Sequence, residues 1–306
     1  MQQGHALKGV LFVVLATLAF AMADVLTKHL TAVYALGLVV AVRYIVNLGL
    51  LAAIMGPKQG SGLWRTQRTA LVILRGLCLS AASLTIVLAL RRLPVAETIA
   101  IIYLAPFAVM LLSGPLLGEK VSTWGWVGAV FGFAGVLLIL RPGGGLDLLG
   151  VTFALINVVF GTAYHLLTRV LTRTETMTSM LFHAALVGAV IFSIWAVTET
   201  QGAIPTLLDF GLMVVLGGLA MGGHLLFTAA YAEAPAGLLA PVNYLHLVWA
   251  AILGGLVFHH WPEPLSVLGI AMVVAAGAFT AWRAHRARFG VQGDLCRSRA
   301  ALDVRA

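Results

Sequence analysis

The stretch GLLAPVNYLHLVWA, residues 237–250, sets proline, asparagine, tyrosine, histidine and tryptophan inside an apolar run long enough to cross a bilayer. Polar groups at that depth are costly in hydrocarbon and are held against protein or water, so they are read first as binding groups. Asn243 and His246 can donate or accept hydrogen bonds, Tyr244 does so from an aromatic body, and Trp249 offers one N–H on a large ring. Other apolar runs hold Asp24, Arg43, Tyr44, Glu97, Tyr103, Asn157, Phe160, Tyr164, His165, His224 and Phe227. This set suits a small molecule with charged ends and an apolar or aromatic body. Arg43, Asn157, His165 and Asn243 are the candidates for the charged ends, with His224 a secondary candidate for binding. Tyr44, Phe160, Tyr164, Phe227 and Trp249 would border the body, with Tyr103 and Tyr244 lining the centre. Asp24, Glu97, His165 and His246 are the groups able to take up or release a proton.

Spacing sorts some of these groups onto faces. Asn157, Gly161, His165 and Thr168 recur at four, four and three residues, one polar stripe on an apolar helix. Arg43 and Asn47 are four apart, and Arg43 lies deep in its run, where it would hold a carboxylate or pair with an acid such as Asp24. Arg75 stands near the start of its run and is expected to reach back to the interface. His183 and His224 are lone histidines, for which hydrogen bonding to a neighbouring helix is the plainer role. The segment HHWPE, residues 259–263, has no metalloprotease spacing, and no serine or cysteine has a base at motif spacing, so an enzyme is not expected. Cys78 and Cys296 are the only cysteines, which implies neither a disulfide framework nor a metal cluster, and no cofactor is called for.

The elements that must position these groups are membrane-spanning helices. The chain has 306 residues, 61% hydrophobic and 10% charged, with mean hydropathy +1.01; a soluble domain has about a quarter of its residues charged. Ten apolar runs fall near 8–28, 34–55, 69–90, 95–117, 122–140, 147–168, 177–198, 208–231, 236–258 and 264–284. The net charge of +8 sits in short loops and the C-terminal tail rather than in a basic stripe, so nucleic acid is not a partner. Lys8, Lys58, Arg65, Arg68, Lys120, Arg169, Arg173 and six arginines from Arg283 onward share one side, against Lys28, Arg91, Arg92 and Arg141 on the other. The excess predicts that both termini are cytoplasmic. The first run reads as a retained span rather than a cleaved leader.

Shifting the chain by 141 residues superposes Gly9 on Gly150, Thr27 on Thr168, Gly76 on Gly217, Pro94 on Pro235, Tyr103 on Tyr244 and Gly128 on Gly269. Each copy holds five spans, an odd number, so the second enters the membrane from the opposite side. The predicted architecture is all-α: ten transmembrane helices as two inverted five-helix repeats around a central cavity. Residues 1–141 form the first repeat, 142–284 the second, and 285–306 a cytoplasmic tail. Such repeats hold a substrate near the midplane and give alternating access by rocking. Pro106 and Pro241 free carbonyls beside the paired tyrosines, which suits a wet lining. The small residues Gly125, Gly128, Gly132, Gly135, Gly269, Ala275, Ala276 and Gly277 read as packing or dimer faces.

The segment RRLPVAETIAIIYLAPFAVMLLSGPLLGEKVSTWGWVGAVFGFAGVLLI and its degenerate partner AEAPAGLLAPVNYLHLVWAAILGGLVFHHWPEPLSVLGIAMVV resemble the EamA-type members of the drug/metabolite transporter superfamily. Pro94, Ala96, Pro106, Gly118, Glu119, Gly128 and Gly135 match that pattern, whereas His260 stands where a second Glu119 would be. The resemblance implies a multi-pass protein of the bacterial inner membrane, a monomer or homodimer in the lipid bilayer. Among such proteins the chain is most similar to exporters of aromatic and other neutral amino acids and related metabolites. Export of other small amphipathic metabolites or drugs by proton antiport is the alternative, and a passive channel a third. The sequence favours a facilitator, because no two acids lie deep in one membrane plane.

Overall fold

The computed structural model describes residues 2–117, 123–140, 145–199, 203–234, 236–280 and 282. Glu119, Lys120, Arg141, Pro235, Cys296 and the tail arginines lie outside these. The regular structure among the described residues is helical: α1 (Gln2–Val33), α2 (Leu36–Gln59), α3 (Thr69–Leu90), α4 (Val95–Ile102), α5 (Ala105–Leu117) and α6 (Thr123–Leu140). There follow α7 (Leu148–Leu171), α8 (Met177–Thr198), α9 (Leu207–Glu233), α10 (Ala236–Asn243) and α11 (Leu245–Phe258), then α12 (Pro264–Thr280). Eight segments are long and apolar enough to cross a bilayer, α4 with α5 counting as one, and α11 and α12 are shorter apolar helices. With α10 leading into α11, these make the ten spans.

Local chemistry starts several of the helices. Asp147 caps α7 by accepting from the N–H groups of Leu149 and Gly150, and Thr176 and Thr206 cap α8 and α9 through Ser179 N–H and Asp209 N–H. The Gly150 N–H, then the Arg92 guanidinium at 2.8 Å, hold the Asp147 carboxyl below the usual carboxylate range. Such a group adds stability above its unfolded pKa and loses it as pH falls through the folded one.

Packing follows the repeat contact by contact. A Cβ on Gly76 would meet Val187 at 3.1 Å, and one on Gly217 would meet Val46 at 2.6 Å; these two pairs exchange under the 141-residue shift. Gly9 against Ala234 at 2.7 Å and Gly150 against Leu93 at 2.8 Å exchange likewise. So do two polar ties. Tyr34, just after α1, donates to Asp209 at 2.6 Å, and Glu175, just after α7, accepts from Gln67 and Arg68 N–H at 2.9 and 2.7 Å. Tyr34 and Glu175 are equivalent, as are Asp209 and Arg68. The first tie lies on the face where α1 ends and the second on the face where α1 begins, as an inverted copy requires. Helix α1 thus packs on α9, α7 on α3, and α2 on α8.

In lipid, helices associate through close approach rather than through hydrophobicity. Helices α6 and α12 do so at Gly135, where a Cβ would meet the Gly269 carbonyl at 2.7 Å, and at Gly132, where it would meet Ala276 of α12 at 3.4 Å and Phe107 of α5 at 2.8 Å. The small-residue stripes are therefore packing faces within this chain. Spans four and nine are not the continuous helices the apolar runs suggest. The first breaks after Ile102 and the second at Tyr244. Pro106 explains the first: it has no N–H to donate to the Ile102 carbonyl, so it serves in the first turn of α5 instead.

Candidate functional site

The two breaks meet. Tyr103 and Tyr244 lie with ring centroids 5.1 Å apart, and the Tyr103 hydroxyl donates to the Asn243 carbonyl at 2.9 Å. A carbonyl released by a helix break has no water partner in hydrocarbon, so a hydroxyl from the opposite repeat takes that place. Both tyrosines are buried, and Tyr244 lies so close to Gly277 of α12 that any side chain there would displace its ring. Replacing Tyr103 with phenylalanine should lower thermal stability by about 0.6–2 kcal/mol, the range for one interhelical hydrogen bond in a membrane. It should slow turnover as well, which a thermal-shift series beside a flux assay would read.

Around this crossing stand groups from four helices. His246 Nε2 lies 3.0 Å from Asp24 Oδ2, joining α11 to α1, with both side chains less than a fifth exposed. The His246 ring is 5.9 Å from Tyr103 and 6.2 Å from Phe20. Phe20 in turn lies edge-on to His224 at 5.1 Å and 6.5 Å from Phe227, which is 5.2 Å from Tyr231. Gly223 permits this, since a Cβ there would meet the Phe20 ring at 2.6 Å. Phe20 is the member sequence reasoning missed; its spacing of four from Asp24 was the available signal.

A second polar group lies between α2 and α3. Arg43 Nη2 donates to Ser83 Oγ at 2.9 Å, Tyr44 shares that hydroxyl at 2.6 Å, and the guanidinium sits 5.0 Å over the Tyr44 ring. Tyr44 stacks on Phe192 at 5.5 Å. Arg43 therefore does not pair with Asp24, which His246 holds. Arg43 Nε and Trp249 Nε1 are buried without a hydrogen-bond partner among the described residues.

Of the stripe on α7, Asn157 and Thr168 face α3. Asn157 donates to the Ala82 carbonyl at 2.6 Å, and Thr168 and Tyr164 accept from Arg75 Nε and Nη2, each at 2.7 Å. His165 is exposed beside the Tyr164 ring, and Phe160 borders an apolar groove with Leu77, Leu84 and Trp195. Arg75 corrects the expectation that it reaches the interface: it is 1% exposed, donates also to the Met180 carbonyl at 2.9 Å, and lies 4.3 Å over Tyr164. His183 bonds the Ser179 carbonyl of its own helix at 2.9 Å rather than a neighbour. Glu97 lies apart from the crossing, in the first turn of α4.

Ten helical spans in exchanged halves, with two broken helices crossing at a polar cluster, make the build of a secondary transporter. Residues 7–141 and 148–282 each match the EamA-like transporter family, and the chain belongs to that family. An S-adenosylmethionine uptake transporter of Rickettsia prowazekii is 25% identical over 284 residues, spanning 89% of this chain and 92% of that protein. A riboflavin transporter of Vibrio cholerae is 25% identical over 302 residues, 93% and 96% of the two chains. A pseudopaline exporter of Pseudomonas aeruginosa is 23% identical over 272 residues, 88% and 94% of the two. A solved crystal structure superposes with a TM-score of 0.65 at 21% identity, covering 94% of this chain and 99% of that one, and it shows the fold alone. The chain is thus a multi-pass membrane protein of a transporter family, and its family and relatives are those of carriers rather than enzymes.

Proposed function

We propose that the protein is a secondary carrier of amino acids and of metabolites bearing an amino-acid head, exporting aromatic and other neutral members across the inner membrane by alternating access. The observation that carries this reading is the Asp24–His246 pair, held among Phe20, Tyr103, His224 and Phe227 where the broken helices cross. An ammonium group would take the carboxylate, the rings would take an apolar or aromatic body, and the free Nε of Arg43 would take a carboxylate. The relatives move different cargo, but S-adenosylmethionine is itself an amino acid joined to an aromatic base, which fits the same two needs. Residues 1–141 and 142–284 act as the rocking halves, with both termini cytoplasmic.

The Asp24–His246 pair also favours proton coupling over the facilitator that the scattered acids suggested. A substrate ammonium arriving at Asp24 competes with His246, so binding and protonation at this pair are linked. Vesicles containing the purified protein and preloaded with unlabelled phenylalanine should take up labelled phenylalanine by counterflow. Neutral aromatic amino acids should compete in a screen of the twenty amino acids, S-adenosylmethionine and riboflavin. Competition by riboflavin with none from any amino acid would reject the substrate class and keep the carrier. Labelling of inside-out and right-side-out vesicles would fix direction and topology.

A further inference from the structure

A cavity of about 470 Å3 opens on the face where α1 ends, away from the helix crossing. That volume is in the range of small-molecule sites. Its polar lining is Lys28 of α1, Glu97 of α4, His260, Glu263, Ser266 and the Arg92–Asp147 ion pair, with Phe258 and Leu93 among its apolar walls. His259 ends α11 in the left-handed conformation, φ 55°, and so turns the chain to bring His260 to the cavity.

Glu97 is 3% exposed, lines this cavity, and its Oε2 has no hydrogen-bond partner among the described residues. Leaving such an atom unmatched is costly unless something that enters the cavity supplies a donor. Lys28 stands nearby with a matching need. Its ammonium donates to the Leu90 and Leu93 carbonyls at 2.6 and 2.5 Å, which leaves one of its three N–H donors. Lys28 and Glu97 act on each other electrostatically, yet no ion pair joins them. A donor and an acceptor thus share one cavity without meeting.

We infer that this vestibule is an outer binding site for a small zwitterion, its ammonium on Glu97 and its carboxylate on Lys28, with the apolar wall beside Phe258 taking the side chain. This rests on the amino-acid reading above, because it assigns the same head group to a second place on the route. The device is one-sided. The repeat places Leu238 opposite Glu97 and Arg169 opposite Lys28, so the matching region on the other face lacks the acid. Substrate is held at one mouth of the carrier and not at the other.

Equilibrium binding of labelled phenylalanine and labelled S-adenosylmethionine to the full chain in lipid nanodiscs tests this. Wild type should bind two molecules of at least one probe, and Glu97→Gln one. A second variant guards against misfolding: Gly254→Leu fills the cavity from α11, where a Cβ meets Val95 at an ordinary 3.5 Å. It too should bind one. Should Glu97→Gln misfold, Gly254→Leu decides alone. Equal stoichiometry in wild type and variants overturns the outer site while the transport reading stands. No binding of either probe to wild type overturns both.

Discussion

Asp24→Asn protein should still exchange labelled for unlabelled phenylalanine across a vesicle membrane, though with weaker affinity because the carboxylate that meets the ammonium is gone, and should no longer accumulate it when only a pH gradient is imposed. The carboxylate is the hydrogen-bond partner of His246 among the described residues, at 3.0 Å. Exchange at equal pH needs only that the site bind and reorient, whereas accumulation needs the proton and the substrate to be coupled. Asparagine keeps the shape and one hydrogen bond to the imidazole and removes the charge. A coupling free energy between two sites is typically about 1–3 kcal/mol, or 5–150-fold in affinity. The shift in apparent phenylalanine affinity between pH 6 and pH 8 should therefore be lost in this variant. His246→Gln should lose the pH response while keeping tighter binding than Asp24→Asn, since the acid that meets the ammonium remains. If Asp24→Asn accumulates phenylalanine under a pH gradient as wild type does, the pair has no part in coupling and the carrier is a facilitator.

The sequence and the structure agree where a property belongs to one helix, and they part where it depends on which helix is next. Spans three and seven begin and end at the expected residues, 69–90 and 177–198, because polar or charged residues interrupt the apolar run at each end. The repeat was legible because glycines and a tyrosine pair mark it, and those same glycines form the exchanged contacts. The break at Tyr103 was half legible: Pro106 signals disruption, but not that a tyrosine from the other half would satisfy it. Periodicity on α7 put Asn157 and Thr168 on one face, though His165 of the expected stripe is exposed. It could not say that α3 covers that face, so Asn157 and Tyr164 were read toward a cavity and are found bonded across a helix interface. Asp24 and His246 were both legible as titratable groups. Their meeting, across 222 residues of chain, was not.

Arg75 was misread for the same reason, and it carries the largest expected effect on folding. A cation a few residues inside an apolar run reads as one that escapes to the interface, and here it is held inward by Tyr164, Thr168 and Met180. Arg75→Leu removes a charged donor, for which hydrogen bonds contribute about 1.5–3 kcal/mol each. The partners do not suffer equally. Thr168 also donates to the Tyr164 carbonyl at 2.7 Å, so its hydroxyl stays engaged. The Tyr164 hydroxyl has no other hydrogen bond among the described residues and would be left half-buried and unmatched. Arg75→Leu should therefore lose most of its folded yield, given a total stability of about 5–15 kcal/mol for a typical domain. Arg75→Lys should recover little, because an ammonium cannot reproduce the planar fork that reaches three acceptors at once. The double variant Arg75→Leu, Tyr164→Phe should fold better than Arg75→Leu alone, since deleting both partners of a buried bond costs less than orphaning one. Monodisperse yield and thermal midpoint in detergent measure all four proteins. A double variant no better than Arg75→Leu would mean that the arginine acts through its bulk and its bond to Met180, with the Tyr164 hydroxyl a bystander.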